Sequence, residues 1–333
     1  MNMQKWFADL ANEKNKKSMP ILSFPSTSLM NITVKQLISD SDLQAKGMKI
    51  IADRCDTLAS VSMMDLSVEA EAFGSEIRTE DHEVPTVIGS IIATEEEADA
   101  LTVPPVNAGR TKLYIDAIEK VCKIITDRPV FAGTIGPFSL SGRLMDMSEI
   151  MVNAYTEPDM VHKTLEKTTS FITEYILEFK KAGANGIIMA EPAAGLLSPD
   201  LIDEFSTPYV KRIAEAVKDE SFAFIYHNCG NTIPLMESIK KIGADGYHFG
   251  NAIDMKKMME TVSSDMLCFG NVSPADEFKN GTPESVYNAT TKLMEECAKY
   301  NNFIPSSGCD IPPLAAWENI DAFFKALEDF YIK

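Results

Sequence analysis

Histidine is scarce in this chain: four residues in 333, beside six cysteines. The cysteines show no paired spacing, which excludes a disulfide framework and fits a reducing compartment. Positive charge is also short, with 31 Lys and Arg against 49 Asp and Glu and a net charge of -18 at pH 7. Such a surface repels a phosphate backbone and an anionic membrane face, so neither nucleic acid nor membrane is expected as a partner. No apolar run approaches the ~20 residues needed to span a bilayer. Met1 to Ser18 carries interspersed charges where a signal peptide would have an apolar stretch. Linkers, low-complexity tracts and short repeats are missing too. The expectation is a cytoplasmic enzyme of one domain, residues 1–333, whose 45% hydrophobic residues suffice for a full core.

What is present is a recurring unit: a short apolar run, a polar or Gly/Pro loop, then an amphipathic helix. The spacing predicts strands at residues 20–24, 57–63, 130–134, 186–190, 222–226, 246–249, 266–269 and 303–305. Helices are predicted between them, at 160–182 (Val161, Leu165, Phe171, Ile172, Ile176 and Phe179 on one face), 208–217 and 283–300. Eight strands alternating with helices imply an α/β fold with a parallel sheet, and eight is the number that closes a (β/α)8 TIM barrel. The acid-rich stretch 73–113, with Pro104-Pro105, reads as an insertion after the second strand.

A barrel places chemistry at the C-terminal strand ends, and the scarce residues lie there. His227 and Cys229 read His-x-Cys directly after 222–226, and Cys309 follows 303–305 in Ser-Ser-Gly-Cys-Asp. Two thiolates and an imidazole suit Zn2+, and three protein ligands leave one position open, as a catalytic zinc requires. The competing reading makes these cysteines small buried hydrophobes, as expected of Cys55, Cys122, Cys268 and Cys297. Against it, Asn228, Gly230, Asn231 and Gly308 make tight exposed loops. Asp65 and Glu69 follow the second strand; Asp65 is either catalytic or a helix N-cap. Glu191 follows the fourth strand as a fourth ligand, a partner of His227, a substrate contact, or a solvated carboxylate. Asn251 and Asn271, each after a glycine, hold loop backbone close to a bound cofactor. Tyr226 and His248 are candidates to line the pocket, with a satisfied core imidazole the other reading of His248.

The segments Met64-Asp65-Leu66-Ser67-Val68-Glu69-Ala70-Glu71-Ala72-Phe73-Gly74, Gly133-Thr134-Ile135-Gly136-Pro137-Phe138, Glu191-Pro192-Ala193-Ala194-Gly195-Leu196-Leu197-Ser198-Pro199, His227-Asn228-Cys229-Gly230 and Gly308-Cys309-Asp310-Ile311-Pro312 span nearly the whole chain. Together they resemble the uroporphyrinogen decarboxylase superfamily, and within it the methylcobamide:coenzyme M methyltransferase branch. The resemblance implies a Zn2+ held by His227, Cys229 and Cys309. It implies a methylated corrinoid as donor, carried by a separate corrinoid protein that docks on the barrel mouth. The methyl group would pass to a thiol such as coenzyme M, or to another small-molecule acceptor such as tetrahydrofolate. Asp65 and Glu69 fall where the decarboxylase branch keeps its essential Asp. One departure is clear: Ser23 to Ser28 holds no arginine, where the decarboxylases carry an Arg-rich segment for porphyrinogen carboxylates. A non-metal decarboxylase or lyase stays as the alternative, a purely structural zinc as a third reading, and homo-oligomerisation stays open.

Overall fold

Short apolar runs bounded by turn residues do form most of the expected strands. The computed structural model describes residues 1–332. Its strands are β1 (Ser60–Val61), β2 (Glu76–Arg78), β3 (Thr86–Ile88), β4 (Val130–Ile135), β5 (Gly186–Ala190), β6 (Ala223–Asn228), β7 (Gly246–Phe249), β8 (Cys268–Val272) and β9 (Phe303–Ser307). Seven of them make a parallel sheet in the order β1-β4-β5-β6-β7-β8-β9. β2 and β3 pair separately as an antiparallel hairpin.

The expected first strand, 20–24, is not in the ladder. Pro20 has no N–H to donate, and the segment runs irregularly between the two sheet edges. Leu58 N–H donates to Ser18 O (2.9 Å), Met19 N–H to Pro305 O (3.1 Å) and Ile311 N–H to Ile21 O (3.0 Å). The eight-stranded sheet expected from the spacing is therefore a seven-stranded one whose edges this segment joins. The expected strand 57–63 shortens to Ser60–Val61 for the same reason: it faces the irregular segment on one side.

Side chains alternate across the strands with period two. Val61, Phe131, Ile188, Ile225, Phe269 and Ile304 pack together inside the curl. Ile187, Met189, Phe224, Phe249 and Cys268 face outward into the core shared with the helices. Each such side chain stabilises the fold by roughly 1.5–3 kcal/mol relative to exposure. The helix Pro158–Lys181 buries all six apolar residues expected of it, and Thr282 caps Pro283–Cys297 by accepting from Ser285 N–H (3.2 Å). Residues 73–113 fold into the β2–β3 hairpin and the helix Glu95–Ala100, outside the main sheet. Among the described residues, no helix is long and apolar enough to cross a membrane.

The N-terminal helix Met3–Asn12 decides which end of the sheet is free. Asn2 accepts from Lys5 N–H (2.8 Å), Met3 N–H donates to Glu220 O (2.6 Å), and Trp6 and Phe7 pack on the inner cluster. The Trp6 ring lies 6.0 Å from Phe131. This helix covers the end where the strands begin and leaves their C-terminal ends for chemistry.

Candidate metal centre

β6 runs two residues past its expected end, because His227 and Asn228 pair with His248 and Phe249 of β7. His227 is thus a strand residue and not a loop residue. Alternation puts it on the inner face with Ala223 and Ile225, with Tyr226 and Asn228 on the other face. Cys229 is the first residue after β6, and Cys309 stands two residues after β9. The ligand atoms of His227, Cys229 and Cys309 all lie within 4.8 Å of one another. Glycine makes this approach possible: a Cβ on Gly250 would lie 2.5 Å from the Cys229 Cα, and one on Gly308 would lie 2.9 Å from Asn251 N.

Hydrogen bonds fix how His227 presents itself. Its Nδ1 lies 2.8 Å from His248 Nδ1 and 3.2 Å from the His248 carbonyl. His248 Nε2 lies 2.9 Å from Ser306 Oγ, and the Ser306 hydroxyl donates to Met19 O at 2.7 Å. Because the serine proton is committed to a carbonyl, Ser306 Oγ accepts from His248 Nε2–H. Burial and the neighbouring His227 push His248 well below the usual imidazole range, so it is neutral and carries that single proton. Its Nδ1 is then an acceptor, and His227 must donate from Nδ1. The lone pair of His227 Nε2 is left facing the two thiols, buried and with no hydrogen-bond partner.

The thiols are unequal. Pairing with Cys309, then the adjacent His227, holds Cys229 below the ordinary thiol range. Pairing with Cys229 and burial hold Cys309 above it. An unpartnered imidazole nitrogen and two thiols, one already acidified, form a donor set that fits Zn2+. No fourth His, Cys, Asp or Glu joins this cluster among the described residues. None of the six cysteines forms a disulfide, and Cys55, Cys268 and Cys297 are buried.

The remaining candidates are placed differently. Glu191 is fully buried, but its carboxylate turns to the start of the helix Pro137–Met145, where Ser139 N–H donates at 2.5 Å. Gly136 leaves room for it, since a Cβ there would collide with Oε2. Burial pushes the Glu191 carboxyl up to about 7. Asp65 is saturated: Oδ1 accepts from Ser67 N–H (3.2 Å) and Oγ (2.5 Å), Oδ2 from Arg110 Nη1 (2.6 Å) and Tyr114 (2.6 Å). It anchors the chain leaving β1 to Arg110, a residue the sequence reading had not singled out. Tyr226 is buried in the outer core and accepts from Asn228 Nδ2 (3.2 Å). Asn271 is a β8 residue whose Nδ2 donates to Gly250 O and Ile253 O, both at 3.0 Å, while exposed Asn251 sits against Gly308. Asp310 accepts from Met64 N–H (2.8 Å), tying the Cys309 loop to the end of β1; burial raises its carboxyl to about 8.

The sequence pattern of the uroporphyrinogen decarboxylase family matches residues 21–330. A methylcobamide:CoM methyltransferase of Methanosarcina acetivorans is 26% identical over 94% of this chain and 93% of its own length. A uroporphyrinogen decarboxylase of Coxiella burnetii is 26% identical over 83% of this chain and 78% of its own. Among solved structures, a methyltransferase from Methanosarcina mazei superposes with a TM-score of 0.86 and 23% identity, covering 99% of this chain and 98% of that one. That likeness concerns the fold.

Proposed function

From the premise that the chain belongs to the uroporphyrinogen decarboxylase family, we propose that it is a zinc-dependent methyltransferase. It moves a methyl group from a methylated corrinoid, held on a partner protein, to a small-molecule thiol. The observation that carries this reading is the buried, unpartnered Nε2 of His227 beside two thiols. When bound there, zinc would supply a Lewis acid that keeps a thiol ionised at neutral pH. The protein's part is to fix the donors. The Ser306–His248 pair holds the His227 tautomer, Gly250 lets the β7 loop close on Cys229, Gly308 lets the β9 loop close on Asn251, and Asp310 anchors the Cys309 loop. In the transfer, the sulfur lone pair forms the S–C bond as the methyl–cobalt(III) bond breaks, and its electrons stay on the corrinoid as cobalt(I). The rim of this end exposes Leu196 (70%) and Leu314 (56%), apolar contacts suited to a docking protein.

The decarboxylase alternative is weaker here. Ser23 to Ser28 offers no guanidinium for carboxylates, and Phe24 and Ser26 of that segment are fully buried. The test is to mix the protein with methylcobalamin and a panel of thiols and folates, following cobalt(I) optically. One zinc per chain is expected by elemental analysis, lost in Cys229→Ala and Cys309→Ala. Well under half an equivalent in wild type after metal-replete expression, or no transfer to any acceptor, rejects the reading.

A further inference from the structure

The chain has six arginines. Arg54, Arg78, Arg110, Arg128 and Arg212 each have an acidic partner within 4.0 Å. Arg143, on the helix Pro137–Met145, is half-buried yet makes no ion pair or hydrogen bond among the described residues. In a chain with 49 carboxylates that is unusual, since a guanidinium withdrawn from water loses hydration unless an anion replaces it. Burial accordingly pulls its pKa down, with no carboxylate to offset it.

Arg143 lines a cavity of about 120 Å3 whose other walls are Met64, Leu66 and Ser67 after β1 and Val84, Pro85 and Val87 of the hairpin segment. No acid lines it. Ser67 Oγ is already committed to Asp65 and Arg110, so the guanidinium is the side-chain donor left for a ligand. The cavity is well below the ~300 Å3 of ordinary small-molecule sites, so it takes a head group on a short aliphatic stem. One of its walls is tied to the candidate metal centre: Met64 N–H donates to Asp310, the neighbour of Cys309, at 2.8 Å.

We infer that this cavity is an anion-binding subsite in which Arg143 receives the oxyanion end, sulfonate or carboxylate, of a short aliphatic ligand. Resting on the function proposed above, that ligand is the thiol acceptor, its sulfur directed to the His227–Cys229–Cys309 cluster and its charged end to Arg143. A planar guanidinium pairs with either oxyanion through two parallel hydrogen bonds, and Arg143 keeps its charge at any working pH.

The test compares three thiols on the zinc-loaded protein by calorimetry: 2-mercaptoethanesulfonate, 3-mercaptopropanoate and neutral 2-mercaptoethanol. A parallel set, ethanesulfonate and propanoate against neutral propanol, is followed by ligand-observed NMR and needs no thiol chemistry. Wild type is expected to bind at least one anionic class tenfold or more tighter than its neutral analogue, and sulfonate against carboxylate identifies the head group. Arg143→Met should abolish that preference and leave 2-mercaptoethanol affinity, zinc content and melting temperature unchanged, since methionine suits the aliphatic walls; Arg143→Lys should retain part of it. If the thiol reading fails but ethanesulfonate or propanoate still binds wild type and not Arg143→Met, the subsite stands alone. No anionic preference in either set, or one that survives Arg143→Met, overturns the inference.

Discussion

Replacing Ser306 by alanine removes one buried oxygen that does not touch the metal cluster, yet should weaken zinc binding. In wild type, Ser306 Oγ holds the proton of His248 on Nε2, so His248 Nδ1 accepts from His227 Nδ1–H at 2.8 Å. Without the serine, the metal-free protein relaxes by moving the His248 proton to Nδ1, where it donates to His227, and His227 takes its own proton on Nε2. That proton occupies the lone pair that zinc needs. Loading zinc must then restore the original tautomers and leave a buried His248 Nε2–H unpaired, which costs about 1–3 kcal/mol. The His248 carbonyl, 3.2 Å from His227 Nδ1, survives the substitution and limits the loss. Zinc affinity should therefore fall roughly tenfold to a hundredfold, the range typical of groups that orient a metal-bound imidazole. Competition with a chromogenic chelator measures it, and nitrogen-15 imidazole spectra report the tautomers. Thr290→Val is the control: its hydroxyl is equally buried and donates to Val286 O at 2.7 Å within the helix Pro283–Cys297, with no hydrogen bond to the cluster. Affinity of Ser306→Ala within twofold of wild type, with the His227 proton still on Nδ1, would refute the relay.

Three further outcomes are expected. Burial raises the Glu69 carboxyl from its ordinary 4.5 to about 7, so its stabilising contribution is complete below about 4.5 and lost as pH rises through about 7. Glu69→Gln should then exceed wild type by about 1–3 kcal/mol at pH 8 and match it at pH 5 in urea melts; equal curves at both pH values would contradict the buried acid. Asp65→Asn should cost about 3 kcal/mol, the low end for breaking a buried pair because Arg110 keeps Glu71 at 2.6 Å, with zinc content unchanged; a normal urea midpoint with lost activity would instead make Asp65 catalytic. Leu196→Glu or Leu314→Glu should impair transfer from the corrinoid protein at least fivefold more than transfer from free methylcobalamin, since both side chains lie exposed at the rim; equal loss with both donors would move them from docking surface to substrate pocket.

The local sequence determined the pieces of this protein. Short apolar runs and 3.6-residue patterns placed seven of the eight expected strands and the three expected helices within a few residues, because burying an apolar face depends on neighbours in the chain. His-x-Cys and Ser-Ser-Gly-Cys were legible as candidate metal donors because soft ligands stand together there at strand ends, and the fold brings their ligand atoms within 4.8 Å of one another. Tertiary structure decided what local pattern does not encode. Residues 20–24 look like a strand, yet Pro20 and the competing edges of β1 and β9 keep them irregular. Glu191 and Asp65 each carried several readings in the sequence, and only the fold shows that the Pro137 helix start meets one and Arg110 the other. His227 carried no sign of its tautomer: that is set by His248 and Ser306, 21 and 79 positions away, which reach it only because β6, β7, β8 and β9 lie in sequence order in the sheet. Arg143 was equally silent in the sequence, since a missing ion pair exists only once every acid has taken its place in space.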